Sequence, residues 1–388
     1  MAPRTLRSTF PLPRLARFRT GAPKTTQVHV SRGALAALAH LDAPLGLDPA
    51  ARHVLVTDER VDDLHGRRLL RVLQSRGLDI AYVVVPEGES SKSLAQYTAL
   101  IDRVLELGAD ERSTMISLGG GVVCNLTGMV AATLFRGVRL VHIPTTLMAQ
   151  ADAAIGHKQA LNGSRGKNLV GSYYAPALVW VDPDTLLTLE ERWVRDGFAE
   201  ILKHALAQDE ALLDCVRRPD ASLRDLDFVT ECIERTVALK CSTIDADPLE
   251  RNEAMVLQYG HTVGHAVEHA SGYALGHGES VAIGMVAAAR VAAEVVGVDL
   301  VELHRDLLRR WELPTEIPEQ LDTAVLLDRV RRGKRCTGNT LWMALADGPA
   351  SLARQGKGSA WPVPVDELAR ILSWHPTLRP RSFAPCVH

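Results

Sequence analysis

The sequence is short of most features that would place it outside ordinary soluble enzymes. Its six cysteines, Cys124, Cys215, Cys232, Cys241, Cys336 and Cys386, are scattered without a CxxC pair. That spacing excludes a thiolate zinc knuckle and reads as reduced thiols in a cytoplasmic protein rather than a disulfide frame. No uninterrupted apolar run approaches the roughly 18 residues of a membrane span. The formal net charge is only −2, so no global charge excess draws the chain to nucleic acid or an anionic bilayer. Neither internal repeats nor low-complexity tracts occur. No nucleic-acid or membrane partner is therefore expected.

What is present suggests two domains in 388 residues. Residues 1–26 carry five arginines, one lysine and no acid. They lack the apolar core of a secretory signal, and their low hydrophobicity predicts a disordered basic extension. From 27 to 186, short apolar runs (HVLVTD, IAYVVVP, TMISLGGG, VRLVHIPTT, ALVWVD) alternate with helix-period segments. This pattern predicts an α/β domain with a Rossmann-like parallel sheet covered on both faces. From 187 to 375 long helical patterns dominate (190–215, 225–246, 252–272, 278–296 and 299–311), predicting an all-α domain. A Pro-rich, loose tail is expected over 376–388.

Three stretches could carry chemistry. SLGGGVVCN follows a strand and opens a helix, which suits either a phosphate cradle or a tight turn. The stretch from Pro144 to Tyr174 gathers Asp152, Lys158, Asn162, Arg165, Lys167 and Asn168 among glycines and serines. It reads as an anion site or as a solvated basic loop. LQYGHTVGHAVEHASGYALGHGES holds His261, His265, His269 and His277 in an apolar context. His261 with His265, and His265 with His269, share a helix face and could present two imidazoles to a metal. His277, or Glu200 in GFAEILKHAL, could supply a third ligand; a carboxylate in apolar surroundings needs a partner. Spacing alone leaves open which three of these five bind.

The ordered motifs GGGxxxN, FRG, PTT, AQxD, GKN, GxAEIxK, YGHTxGHAxE and HGExVAxGM resemble those of the dehydroquinate synthase-like sugar phosphate cyclases, from about residue 50 to 290 and more weakly to about 370. KQALN, GKNLVG, the YYAP run and WPVPVDELARIL are most similar to the branch that makes 2-deoxy-scyllo-inosose from D-glucose 6-phosphate. The resemblance implies an all-α domain that binds metal, with Glu200, His261 and His277 holding one divalent ion, zinc or cobalt. It implies catalytic roles for His265, Lys158, Lys203 and Gln258. It places NAD against Asp58, Glu89, Lys92, Gly120, Gly121, Val122, Asn125, Thr145, Thr146, Lys167, Thr185, Leu186 and Thr188. Asp152, Lys158, Asn168, Lys203, Lys240 and Lys334 would line the substrate pocket, with Arg136 reaching the phosphate from a second subunit, so a homodimer is implied.

The implied reaction oxidises C4 transiently, expels phosphate, reduces C4 again and closes a carbocycle by intramolecular aldol addition, on the way to 2-deoxystreptamine aminoglycosides. Alternative expectations are a cyclase of seven-carbon sugar phosphates, such as 3-dehydroquinate or valiolone synthases, and a non-catalytic homologue. The chain departs from the family at Gln258, where Glu or Asn is expected, at Ala254 in place of Arg, at Cys124 in place of Gly, and at RRGKR.

Overall fold

The computed structural model describes residues 14–19, 25–164, 166–250, 253–333, 335–354 and 358–372. The expected site residue Lys334, Arg165 and the tail from 373 lie outside them. All five strands anticipated from the apolar runs are there: β3 (Arg52–Asp58), β4 (Asp79–Val85), β5 (Thr114–Gly119), β6 (Arg139–Pro144) and β9 (Leu178–Val181). They join β1 (Arg14–Arg19) and β2 (Thr25–Val30) in one seven-stranded sheet of order β1-β2-β9-β6-β5-β3-β4. Every pairing is parallel except β1 with β2. Residues 14–19, expected within a disordered extension, therefore form an antiparallel edge strand instead.

Successive residues of the central strands feed different cores, which is why these runs are apolar throughout. Leu55, Ile116 and Val141 pack on one face, and Val54, Val56, Met115 and Leu140 on the other. The chain passes from β3 outward to β4 and then crosses back to β5 on the other side of β3. That reversal opens a crevice at the carboxyl ends of β3 and β5, where α/β sheets receive ligands.

The segment read as a possible loop is ordered instead as an antiparallel hairpin, β7 (Lys158–Gly163) with β8 (Gly166–Tyr173). The second half is helical, but not in the expected unbroken spans. The 190–215 pattern breaks at Gln208, and Asp209 caps a new helix through Leu212 N. The 252–272 pattern is a 3₁₀ turn, Glu253–Gln258, followed by a helix from His261 to Ala270. Short antiparallel strands at Cys336–Thr337, Thr340–Met343 and Trp361–Pro364 add a small β element to a region expected to be all-α.

Three helices of this half, Glu191–Ala207, His261–Ala270 and His277–Val295, cross almost backbone to backbone. A Cβ on Gly284 would lie 1.9 Å from the carbonyl oxygen of Gly260, and one on Gly278 1.7 Å from that of Asp196. Only glycine permits that approach. It brings side chains from all three helices to one point.

Candidate active site

Glu200 and Lys203 stand three apart on the helix Glu191–Ala207, 0 % and 1 % exposed. Lys203 Nζ donates to Glu200 Oε2. Among the described residues, Oε1 takes no hydrogen bond. It lies 3.5 Å from Nε2 of both His261 and His277, long for a hydrogen bond. An orphaned buried carboxylate oxygen is costly. The other ring nitrogens are already engaged: Nδ1 of His261 faces the Tyr259 carbonyl at 3.0 Å, and Nδ1 of His277 faces Glu268 Oε2 at 3.3 Å. Both acceptors fix Nδ1 as the protonated nitrogen and turn Nε2 toward Glu200, as second partners of metal-bound histidines do. One carboxylate and two oriented imidazoles fit a divalent cation with an open position.

A charge on His277 would have two carboxylate neighbours, Glu200 and Glu268. Burial works against that charge, but Glu200 and Glu268 outweigh it and raise the pKa to about 10. Burial likewise pushes Glu200 up, yet Lys203 and then His261 hold it well below the usual carboxylate range. His265 remains at the rim: one nitrogen each of His261, His265 and His277 lies within 4.8 Å of the others. Its ring meets that of His261 edge-on at 5.1 Å between centroids. Exposed, it can meet a substrate. His269 turns away, to the ring of Tyr273.

A ladder of alternating charge runs from this centre. Lys203 Nζ is 3.8 Å from Asp152 Oδ1, which accepts from Lys240 Nζ at 2.6 Å. Burial would raise the Asp152 pKa, but Lys240 and Lys203 draw it down to about 2, so it stays ionised. The hairpin adds Lys158, paired with Glu250, and Lys167, 2.7 Å from Glu268 Oε1. Lys92 donates to Asn168 Oδ1. Each of these pocket cations has an oxygen partner from the protein, and an arriving phosphate would exchange with such partners.

The hairpin is seated by polar contacts. Asn125 Oδ1 accepts from Ala160 N and its Nδ2 donates to the Gly121 carbonyl, both at 2.8 Å. Gln159, neighbour of Lys158 and 3 % exposed, points the opposite way into the protein. Its Nε2 donates to the Tyr174 carbonyl at 3.1 Å, and its Oε1 occupies the space that a Cβ on Gly128 would need, 2.0 Å away. Asn162 Nδ2 donates to Glu89 Oε1 at 2.8 Å. Asn168 takes a left-handed φ of 57°, which a short polar side chain tolerates.

At the crevice, the helix Gly121–Thr133 starts immediately after β5 and aims its first N–H groups outward, with Gly120, Gly121 and half-buried Val122 at its tip. Asp58 at the end of β3 accepts from Val61 N at 2.8 Å. Thr145 N donates to the Gly119 carbonyl at 3.0 Å, and Thr146 Oγ1 accepts from Ala149 N at 3.2 Å. Thr185 and Leu186 are buried, and the Thr185 hydroxyl is taken by Asp182 O and Gln150. Thr188 Oγ1 meets His65 at 2.9 Å.

Arg136 is set apart. It is exposed, with φ 64°, just beyond the far end of the helix that begins at Gly121. Thirteen helical residues span about 20 Å, so Arg136 stands away from the crevice of its own chain. Gln258 is half-buried at the end of the 3₁₀ turn, three residues before His261. Two carboxylates went unassigned by sequence reasoning. Glu268 stands seven residues after His261, two turns along the same face, a signal that could have found it. Glu250 lies in a segment without motif, and only the tertiary structure brings it to Lys158.

Two family models match the chain in tandem: the N-terminal part of 3-dehydroquinate synthase at residues 82–196 and its C-terminal part at residues 197–336. The chain is 38 % identical over 340 residues to the 2-deoxy-scyllo-inosose synthase of Streptomyces paromomycinus, covering 85 % of this chain and 88 % of that protein. It is also 38 % identical over 317 residues to the 3-dehydroquinate synthase of a Synechocystis species, covering 80 % and 87 %. A crystal structure of 2-deoxy-scyllo-inosose synthase complexed with carbaglucose-6-phosphate, NAD+ and Co2+ matches with a TM-score of 0.81 at 25 % identity, over 92 % of this chain and 99 % of that one.

Proposed function

The chain belongs to the 3-dehydroquinate synthase family, and from that premise we propose that it is a sugar phosphate cyclase converting D-glucose 6-phosphate to 2-deoxy-scyllo-inosose and phosphate. The observation that carries this reading is the unpaired Glu200 oxygen facing His261 and His277, with the Lys203–Asp152–Lys240 ladder beside it. Glucose 6-phosphate is favoured over a carboxylate-bearing seven-carbon sugar by Ala254, which is 0 % exposed where dehydroquinate synthases resemble one another in carrying Arg. A buried methyl there offers a carboxylate no cation.

In this reading residues 27–186 bind NAD and residues 187–375 bind metal and substrate. When bound, NAD would take and return the C4 hydride, and a divalent metal, zinc or cobalt, held by Glu200, His261 and His277 would polarise substrate oxygens. Lys158, Asn168 and Lys203 hold the phosphate, Lys158 exchanging Glu250 for it. Asp152, kept ionised by Lys240, orients sugar hydroxyls. His265 at the rim accepts and returns protons. Gln258 orients a hydroxyl, since an amide cannot take a proton at neutral pH. Asp58, Glu89, Lys92, Lys167, the Gly120–Val122 tip and Asn125 surround the nucleotide, with Thr145, Thr146, Thr185, Leu186 and Thr188 along its edge; Asn125 also fixes the hairpin.

Arg136, remote from its own pocket, completes that of a second copy, so the active form is a homodimer. Among the described residues no helix is long and apolar enough to cross a membrane. The proposed product serves 2-deoxystreptamine aminoglycoside biosynthesis, and in this reading the enzyme is cytoplasmic.

The test is phosphate release and carbocycle formation from glucose 6-phosphate and from seven-carbon sugar phosphates, with NAD+ and cobalt supplied. Turnover confined to a seven-carbon substrate would replace the substrate assignment. No turnover with any of them would leave a non-catalytic homologue.

A further inference from the structure

We propose that Glu268 is a positioning residue that couples the hairpin to the metal centre, so that filling the one and seating the other are linked. The inference rests on the reading of Glu200, His261 and His277 as metal ligands. The Glu268 carboxylate is 5 % exposed, and its two oxygens face different elements. Oε2 meets Nδ1 of His277 at 3.3 Å, on the helix His277–Val295. Oε1 meets Lys167 Nζ at 2.7 Å, on β8. The Lys167 ammonium also stands 4.2 Å from the centre of the Tyr273 ring, so carboxylate and aromatic face fix it together.

β8 is otherwise exposed from Asn168 to Tyr173, and it carries Asn168 next to Lys167. Beyond its ladder to β7, a strand with so little buried surface has few contacts to fix it. The Lys167–Glu268 pair ties it to the helix that also carries His261. The same carboxylate sets the ring of His277. A cation on Nε2 of His277 strengthens the Nδ1–H donor toward Oε2 and holds the carboxylate in one place. That fixed carboxylate then presents a defined partner to Lys167. By thermodynamic reciprocity, a seated hairpin must favour metal binding by the same factor, and such couplings typically amount to about 5–150-fold.

The experiment uses the full-length protein with Co2+ alone as probe. Its dissociation constant is measured by chelator competition, and exchange of the hairpin amides 166–173 by mass spectrometry, with and without metal. In the wild type, Co2+ should slow that exchange at least about fivefold. Glu268→Gln should weaken Co2+ binding about 10–100-fold and abolish the hairpin response. Lys167→Met should lose the response and, by the same reciprocity, bind Co2+ about fivefold or more weakly than wild type, with an unchanged cobalt absorption spectrum. The Lys167 variant alters no core residue, so it separates coupling from folding. Wild-type affinity in Glu268→Gln, or a hairpin that still responds in Lys167→Met, would overturn the coupling while leaving the metal centre standing. A wild type that binds no Co2+ would overturn the metal centre itself, and the coupling with it.

Discussion

Gly128→Ala gives a sharp test of how the hairpin is held. In an ordinary helix interior this exchange stabilises by about 1 kcal/mol, because alanine loses less backbone freedom than glycine. Here the new Cβ would lie 2.0 Å from Oε1, 2.3 Å from Cδ and 2.9 Å from Cγ of Gln159. Three atoms of one side chain must move, and that side chain is 3 % exposed, so it cannot swing freely into solvent. Overpacking of this kind costs roughly 1–3 kcal/mol. The collision therefore outweighs the propensity gain, for a net loss of about 1 kcal/mol.

Gln159→Ala removes all three clashing atoms. In that background Gly128→Ala should become stabilising by about 1 kcal/mol, a reversal of sign. The implied coupling of about 2 kcal/mol is in the range for residues in contact. Thermal melts of the four proteins at matched protein, metal and nucleotide concentrations measure it, with shifts of about 2 °C in each direction. Since Lys158 adjoins Gln159, phosphate release by the Gly128→Ala enzyme should fall as well. A higher midpoint for Gly128→Ala in the wild-type background, or equal effects in both backgrounds, would refute the slot.

Four further outcomes are expected. Alanine at Glu200, His261 or His277 should remove bound metal and activity together, whereas His265→Ala should keep the metal and lose turnover; full metal content in His277→Ala would reassign the third ligand to His265. Because the C4 hydride returns to the substrate, NAD+ should be required without net NADH growth, and a steadily rising absorbance would make the enzyme a plain dehydrogenase. Gln258→Glu should bring no gain in carbocycle formation; general acid–base help is worth about 10²–10⁴-fold, so an increase of about tenfold or more would mark position 258 as needing a carboxylate. Burial holds the pKa of His142 down at about 3 and of His304 at about 4, against 6.5 when exposed. Between those values the unfolded chain binds more protons than the folded one, so stability should fall as pH drops below about 6.5; melting midpoints that stay level from pH 7 to 5 would contradict this.

The strands of the parallel sheet were legible because a strand buried on both faces must be apolar at every position, a local property of HVLVTD or TMISLG. That Glu200, His261 and His277 belong together was legible from the ordered motifs in which they sit, and the structure brings the three side chains to one point, while bare spacing could not choose among the candidates. The 252–272 pattern misled as a helix because apolar period says nothing of Gly260, whose φ of 76° breaks the span. The hairpin 158–173 was missed for a related reason: apart from the buried Leu161 its described side chains are polar, small or exposed, so it lacks the apolar alternation that a half-buried strand shows, and it is seated by Asn125, Gln159 and Asn162.

By itself, then, the sequence determined the alternation of elements, five of the seven strands of the sheet and the chemical types gathered at the site, since those follow from local pattern and side-chain identity. Only the tertiary structure decided which groups meet. It left one Glu200 oxygen without a hydrogen bond between two histidines, gave Glu268 to both His277 and Lys167, paired Glu250 with Lys158 across 92 positions of chain, and set Arg136 beyond the far end of its helix. Those relations depend on helices crossing at glycine contacts and on a strand order that folds back on itself, and distances of that kind are not encoded in any single segment.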